Sequence, residues 1–272
     1  MKYSIREFAE LVGVSVDTLR LYEKHGIILP EKNKKNGYRS FNDFDARDML
    51  MSRWYRSLEL SITEARYLTG EAEMQQIIHR ISRQKEQLEE ELLRKKLLLE
   101  KITDITSEYG DIERRQRKCS VEEISAIYRI TQTRQNTLLK KPNLSKIVEE
   151  WMKFLPFVHY SFHIKQKETS SHNDIYNYNW GLAIGEEDAK RLNIKYMDKV
   201  DYIPPARCVS SVITTSNDYL TKSSLAFMFQ FMEEKGYEIS GDIYGKIILT
   251  ENSKTERSTC LEVNIPISDK II

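Results

Sequence analysis

Cysteine is scarce in this 272-residue chain: Cys119, Cys208 and Cys260 are odd in number, far apart and without a CxxC pair. That argues against a disulfide framework, a closed zinc site and a four-thiolate iron–sulfur cluster. Long apolar runs are missing as well. The opening MKYSIREFAELVGV lacks the continuous apolar core of a secretory signal, and no later run approaches the roughly 18 apolar residues of a membrane span. The expectation is a soluble, cytoplasmic protein with no membrane partner. Nor does one sign of charge dominate, since 42 Lys and Arg against 41 Asp and Glu leave a formal net charge of +1. Any surface for a polyanion must therefore be local. The length suggests about two domains, at roughly 100–200 residues each.

What is present begins with explicit helix starts. Ser4-x-x-Glu7 and Ser61-x-x-Glu64 fit capping boxes, in which the hydroxyl accepts from a free backbone N–H and the carboxylate reaches back to the cap. Ser15 and Asn42 are further caps. In SIREFAELVGVSVDTLRLYEKHG, apolar Ile5, Phe8, Ala9, Val14, Leu19 and Tyr22 surround a turn at Gly13, the grammar of a helix-turn-helix. Pro30 ends the helical pattern. The following EKNKKNGYRSF places Lys32, Lys34, Lys35 and Arg39 within eight residues that hold no acid, around Asn36-Gly37, the favoured pair for a two-residue hairpin turn. A cationic hairpin beside a helix-turn-helix reads as a wing, attracted to duplex phosphates by charge and counterion release.

TLRLYEKHGIILPEKNKKNGYRSFNDFDARDM resembles the winged-helix signature of MerR-type transcription regulators: Arg-x-Tyr-Glu on the recognition helix, a Gly-Ile turn, then Gly-Tyr-Arg and an aromatic. By that resemblance Arg20 and Tyr22 match recognition-helix positions that approach DNA, and Tyr38 and Arg39 match the wing. Leu21 stands where many members carry a second aromatic. The candidate DNA-binding residues are Ser15, Thr18, Arg20, Tyr22, Lys34, Lys35, Tyr38 and Arg39.

Met74, Ile78, Ile81, Lys85, Leu88, Leu92, Lys95, Leu99, Ile102, Thr106 and Tyr109 follow an unbroken 4,3 spacing, and eight of these eleven are apolar. That is a coiled-coil seam on a helix about 54 Å long, flanked by charges. The resemblance implies that it pairs antiparallel in a homodimer. Tyr109-Gly110-Asp111 is expected to close it, with a charged linker over 111–119. Ser120-x-x-Glu123 fits another capping box, although EISAIYRI after it reads as a strand.

The remaining chain repeats itself. Strand 124–131, helix 144–154 and strands 157–166 and 176–184 are followed by strand 206–214, helix 222–235 and strands 242–250 and 259–267, a β-α-β-β unit twice over. Side-by-side units leave a groove for a small molecule. YIPPARCVSSV, FMEEKGYEISGDIYGKIIL and CLEVNIPIS resemble the gyrase-inhibitor-like effector domain of multidrug-responsive MerR regulators. On the last strand Leu261, Val263, Ile265 and Ile267 share one face, leaving Cys260, Glu262 and Asn264 on the other, toward solvent or groove. The resemblance matches Glu262 to the acid of the drug pocket, where a carboxylate among aromatic rings attracts a lipophilic cation. Tyr244 is expected on its face. Tyr160, Phe162 and Trp180 are candidates for either pocket or core, and Lys246 on the neighbouring strand leaves a neutral or amphipathic ligand open.

The expected architecture is multidomain α+β: a winged helix-turn-helix domain over 1–72, an antiparallel coiled-coil helix over 73–110, the linker, and a duplicated β-α-β-β effector domain over 120–272. The expected function is ligand-responsive transcription regulation by a homodimer on double-stranded DNA with an inverted-repeat operator. The resemblance implies activation by promoter distortion that brings the elements read by RNA polymerase into phase. No cofactor, metal or catalytic residue is assigned. Two other readings stay open: a hydrolytic effector domain with Glu262 as general base, the residues His159, His163 and His172 being surface or core, and a metal sensor using Cys119 and His79.

Overall fold

The computed structural model describes residues 2–32, 37–135, 137–140, 144–195, 200–215, 220–252 and 257–270. The chain divides into two compact units, Met1–Lys96 and Leu97–Ile272. No helix among the described residues is long and apolar enough to cross a membrane.

In the first unit the local start signals hold. Helix α1 (Ile5–Leu11) has the reciprocal Ser4–Glu7 capping box, and α2 (Val16–Lys24) is capped by Ser15, whose side chain accepts from the Thr18 amide. Gly13 joins them at φ +67°, a left-handed conformation that a side chain would strain. The hairpin pairs β1 (Glu31–Lys32) with β2 (Arg39–Ser40), Lys32 opposite Arg39. The expected two-residue turn at Asn36-Gly37 lies outside the described residues at Asn36. Helix α3 (Asp43–Ser57) starts at an Asn42–Asp45 box, and α4 (Ile62–Gly70) at the Ser61–Glu64 box. Phe8 stacks on Phe41 with ring centroids 4.7 Å apart, tying the first helix to the exit of the hairpin within one apolar cluster.

Glu64 carries a testable load. Its carboxylate receives Arg80 Nε at 2.6 Å and the Ser61 amide at 2.9 Å. The bond from Arg80, then those from Ser61, lower its pKa from 4.5 to about 2. A depressed carboxylate stabilises the fold fully above its unfolded value and loses that contribution as pH falls through the folded one. Glu64→Gln should therefore cost less than about 1 kcal/mol at neutral pH, because the group is partly exposed. The melting-temperature gap to the parent should close between pH ~4.5 and ~2.

Helix α5 (Met74–Arg115) is one continuous element. It passes through Gly110 and takes up residues 111–115 of the expected linker, because Ile112 packs against Val212, Ile248 and Cys260 and so outweighs the modest helix cost of one glycine. Ile77 and Ile81 pack on the cluster of Tyr55, Leu60, Ala65 and Leu68. The 4,3 stripe is otherwise open: Met74, Ile78, Leu88, Leu92, Leu99, Ile102 and Tyr109 are all exposed. Lys85 and Lys95 are neutralised along the helix by Glu89 and Glu91.

The second unit is an antiparallel sheet with two helices packed on its apolar face and the C-terminal end of α5 against the other. Its elements are β3 (Ser120–Ile124), β4 (Ile127–Thr131), the small pair β5 (Thr133–Arg134) and β6 (Thr137–Leu138), α6 (Leu144–Met152), β7 (His159–Ile164), β8 (Tyr178–Gly185), α7 (Glu186–Arg191), β9 (Asp201–Ile203), β10 (Ala206–Thr215), α8 (Lys222–Lys235), β11 (Tyr237–Ile239), β12 (Ile243–Asn252) and β13 (Arg257–Asp269). Ser120–Ile124 is therefore a strand and not a capped turn. Val121 pairs with Val209 there, and the ladder competes successfully with the local cap. The strands run β3-β10-β13-β12-β7-β8-β4-β9, with β11 on β13. The inner order β10-β13-β12 mirrors β4-β8-β7 about the β12–β7 seam. Phe162, Ile164, Tyr178, Val263 and Ile265 meet Leu225, Met228 and Met232 of α8, while Ile130, Leu182 and Ile184 meet Ile147 and Trp151 of α6.

Candidate functional site

Two places in the chain concentrate the candidate residues, one in each unit. In the first, the exposed face of α2 and the hairpin present polar and cationic groups. Ser15 Oγ lies 2.9 Å from Thr18 Oγ1, which fixes both hydroxyls at the helix start. Arg20 is exposed and pairs with Asp17 at 3.0 Å. Tyr22 behaves differently from its neighbours: it is 7% exposed, packed with Phe8 and Leu19. It lies three residues after Leu19, on the helix face that points to the core, so it braces α2 from beneath. Tyr38 is exposed. Arg39 Nε meets both carboxylate oxygens of Glu23, at 2.8 and 2.7 Å. Arg39 therefore clamps the hairpin to α2, a contact that the Arg-x-Tyr-Glu run contained but that sequence spacing alone did not reveal. Lys34 and Lys35 lie outside the described residues.

The second place is the polar face of the sheet. Directly paired residues share a face, and the pairs His163–Tyr244, Ser161–Lys246, Lys246–Glu262 and Tyr244–Asn264 put all of these side chains together. Glu262 and Tyr244 line one cavity of about 230 Å³ with Phe157, His159, Lys246 and Asn264. Tyr160, Phe162 and Trp180 sit on the opposite face. Tyr160 and Trp180 stack at 5.4 Å, and Phe162 meets Trp180 edge-on at 5.7 Å. Strand alternation is the reason, since in HYSFHI the polar residues His159, Ser161 and His163 take the cavity face.

Glu262 is not a bare acid. Arg115, at the end of α5, donates from Nη1 to Glu262 Oε2 at 3.2 Å. Lys246 stands beside it as expected, directly across on the neighbouring strand, with its ammonium ion-paired to Glu108 at 2.6 Å. Burial raises the pKa of the Tyr244 hydroxyl strongly, and its oxygen lies 3.6 Å from Cys208 Sγ, whose thiol burial pushes up to about 11. Burial, then the charges of Lys246 and Lys101, bring His159 down to about 3, so it is neutral at physiological pH.

Tyr244 also borders a larger cavity of about 480 Å³ on the same face, lined by Arg129, His163, Asp201 and Asp242. Arg129 is 1% exposed and donates to Ser161 Oγ, the Ser161 and Asn179 carbonyls and Thr131 Oγ1, stitching three strands. The one cation in the strand IYRIT was its sequence signal.

Residues 4–41 match the family model described as MerR family regulatory protein. Over 62 residues, 23% of this chain, the sequence is 36% identical to the uncharacterized HTH-type transcriptional regulator YyaN of Bacillus subtilis (strain 168), of which the match covers 45%. The chain thus spans about half the length of this curated relative. Among solved structures it is similar to EcmrR in the cryo-EM structure of the EcmrR-DNA complex in EcmrR-RPo, at 19% identity over 99% of this chain and 100% of that one, TM-score 0.38. It is also similar to the N-terminus of MtaN, the Bacillus subtilis multidrug transporter activator, at 22% identity over 38% of this chain and 96% of that one, TM-score 0.34.

Proposed function

We propose, from the MerR-type helix-turn-helix segment at residues 4–41, that this chain is a DNA-binding transcription regulator that works as a homodimer and answers to a small molecule held at the sheet's polar face. The observation that carries the reading is the agreement of that segment with the capped α1–turn–α2 unit and the hairpin clamped by Arg39 and Glu23. In this reading α2 enters the major groove, the hairpin follows the phosphates, and two heads read an inverted repeat. The open stripe of α5 supports pairing with a second copy, antiparallel as the resemblance implies. Ligand at the Tyr244–Glu262 cavity and distortion of the promoter under RNA polymerase are then two ends of one coupling free energy.

The test is fluorescence anisotropy with the DNA preceding the chain's own coding region against random duplex of the same length. Tight, salt-dependent preference for the former is expected, and equal affinity for both would end the proposal. The same titration checks the wing. Lys34→Ala and Lys35→Ala should each weaken operator and random DNA by similar factors and lower the slope of log affinity on log salt by about one unit. Arg39→Ala should change the slope less, because its charge is already matched by Glu23.

A further inference from the structure

We propose that Arg115 sets the charge selectivity of the Glu262 cavity, so that it takes an uncharged, hydrogen-bonding aromatic ligand in preference to a cation. This rests on the reading of that cavity as the effector site. Each cation around the cavity has a carboxylate partner. Lys101 Nζ lies 3.4 Å from Asp188 Oδ2, Lys246 Nζ lies 2.6 Å from Glu108 Oε1, and Arg115 holds Glu262 at 3.2 Å while its other nitrogen lies 3.9 Å from Glu122. The second oxygen of Glu262 accepts from Asn264 Nδ2 at 3.4 Å. His159 is neutral.

A cation entering here would have to share Glu262 with a guanidinium that cannot give up its own charge, while Lys101 and Lys246 stand on the same walls. A neutral hydroxyl meets no such opposition. It can donate to a spare lone pair of the carboxylate, which has about four acceptor sites, while its ring lies against Ile124, Ala126, Ile127 and Phe157. The Arg115–Glu262 pair is mostly buried, its side chains 20% and 17% exposed, so solvent does little to weaken this discrimination.

The experiment uses two probes of one shape, 4-tert-butylphenol and (4-hydroxyphenyl)trimethylammonium, titrated calorimetrically into the full-length protein and into Arg115→Met, Arg115→Lys and Glu262→Gln. The parent should bind the phenol at least as tightly as the ammonium. Arg115→Met bares the carboxylate and should shift the ratio toward the cation by about tenfold or more, and Arg115→Lys should restore the parental ratio. Parental preference for the ammonium, which needs no variant to measure, would overturn the proposal. An unchanged ratio in a folded Arg115→Met protein would overturn it too. If neither probe bound the parent or any variant, the underlying reading of the cavity as the effector site would fall, and the selectivity proposal with it.

Discussion

Replacing Leu92 and Leu99 together with aspartate should leave a folded monomer that no longer retains operator DNA. Both side chains are open on α5, at 70% and 66% exposure, in a stripe whose spacing never breaks from Met74 to Tyr109. Burying one leucine is worth about 1.5–3 kcal/mol. An antiparallel pair would bury four of them at these two positions, so their loss removes roughly 6–12 kcal/mol of association before the cost of desolvating four carboxylates is counted. Among the described residues neither leucine belongs to an apolar core cluster, which is why the monomer should keep its fold. Sedimentation equilibrium at micromolar concentration, with circular dichroism as the folding control, decides the matter. A dimer that survives would move the interface elsewhere.

The second large effect is expected at Gly245. A methyl group there would come within 1.8 Å of the Glu262 carbonyl oxygen and 2.5 Å of the Phe162 ring. Backbone on one side and a buried core aromatic on the other leave no room to yield. Gly245→Ala should thus cost about 3 kcal/mol or more, at the high end for single replacements, and should prise β12 from β13 where Tyr244, Lys246 and Glu262 flank the cavity. Gly110→Ala is the contrast. It sits inside α5 with nothing among the described residues within 4 Å of the added group, and should stabilise by up to about 1 kcal/mol. Urea unfolding midpoints of the two variants should move in opposite directions, and a neutral Gly245→Ala would mean the strands pair more loosely than described.

What could be read without coordinates was what depends on near neighbours. The Ser4, Ser15, Asn42 and Ser61 caps act within three residues, and each forms. Ser120-x-x-Glu123 has the same letters but lies in β3, where pairing with β10 decides. Strand alternation gave the apolar face of β13, and with it the side on which Glu262 and Tyr244 are found. The counter-ion of Glu262 was not legible, since Arg115 lies 147 residues away on an element expected to have ended at Gly110. Leu97, Lys101, Glu108, Ile112 and Arg115 form a second stripe on α5, used for the sheet unit, and three of the five are charged, so hydrophobic periodicity passes over it.

The two outermost strands of the large sheet have a bearing on how the molecule avoids its own copies. A strand with one unpaired side is a template on which another chain can extend the sheet, and proteins blunt such margins with shortness, charge and proline. Here β9 has three residues, opens on Asp201 and runs into Pro204 and Pro205, while β3 carries Glu122 and Glu123. Each margin therefore resists β-addition. At high cellular concentration the sheet unit should stay out of fibrils, and truncating the acids of β3 to alanine is where ordered aggregation would first be expected to begin.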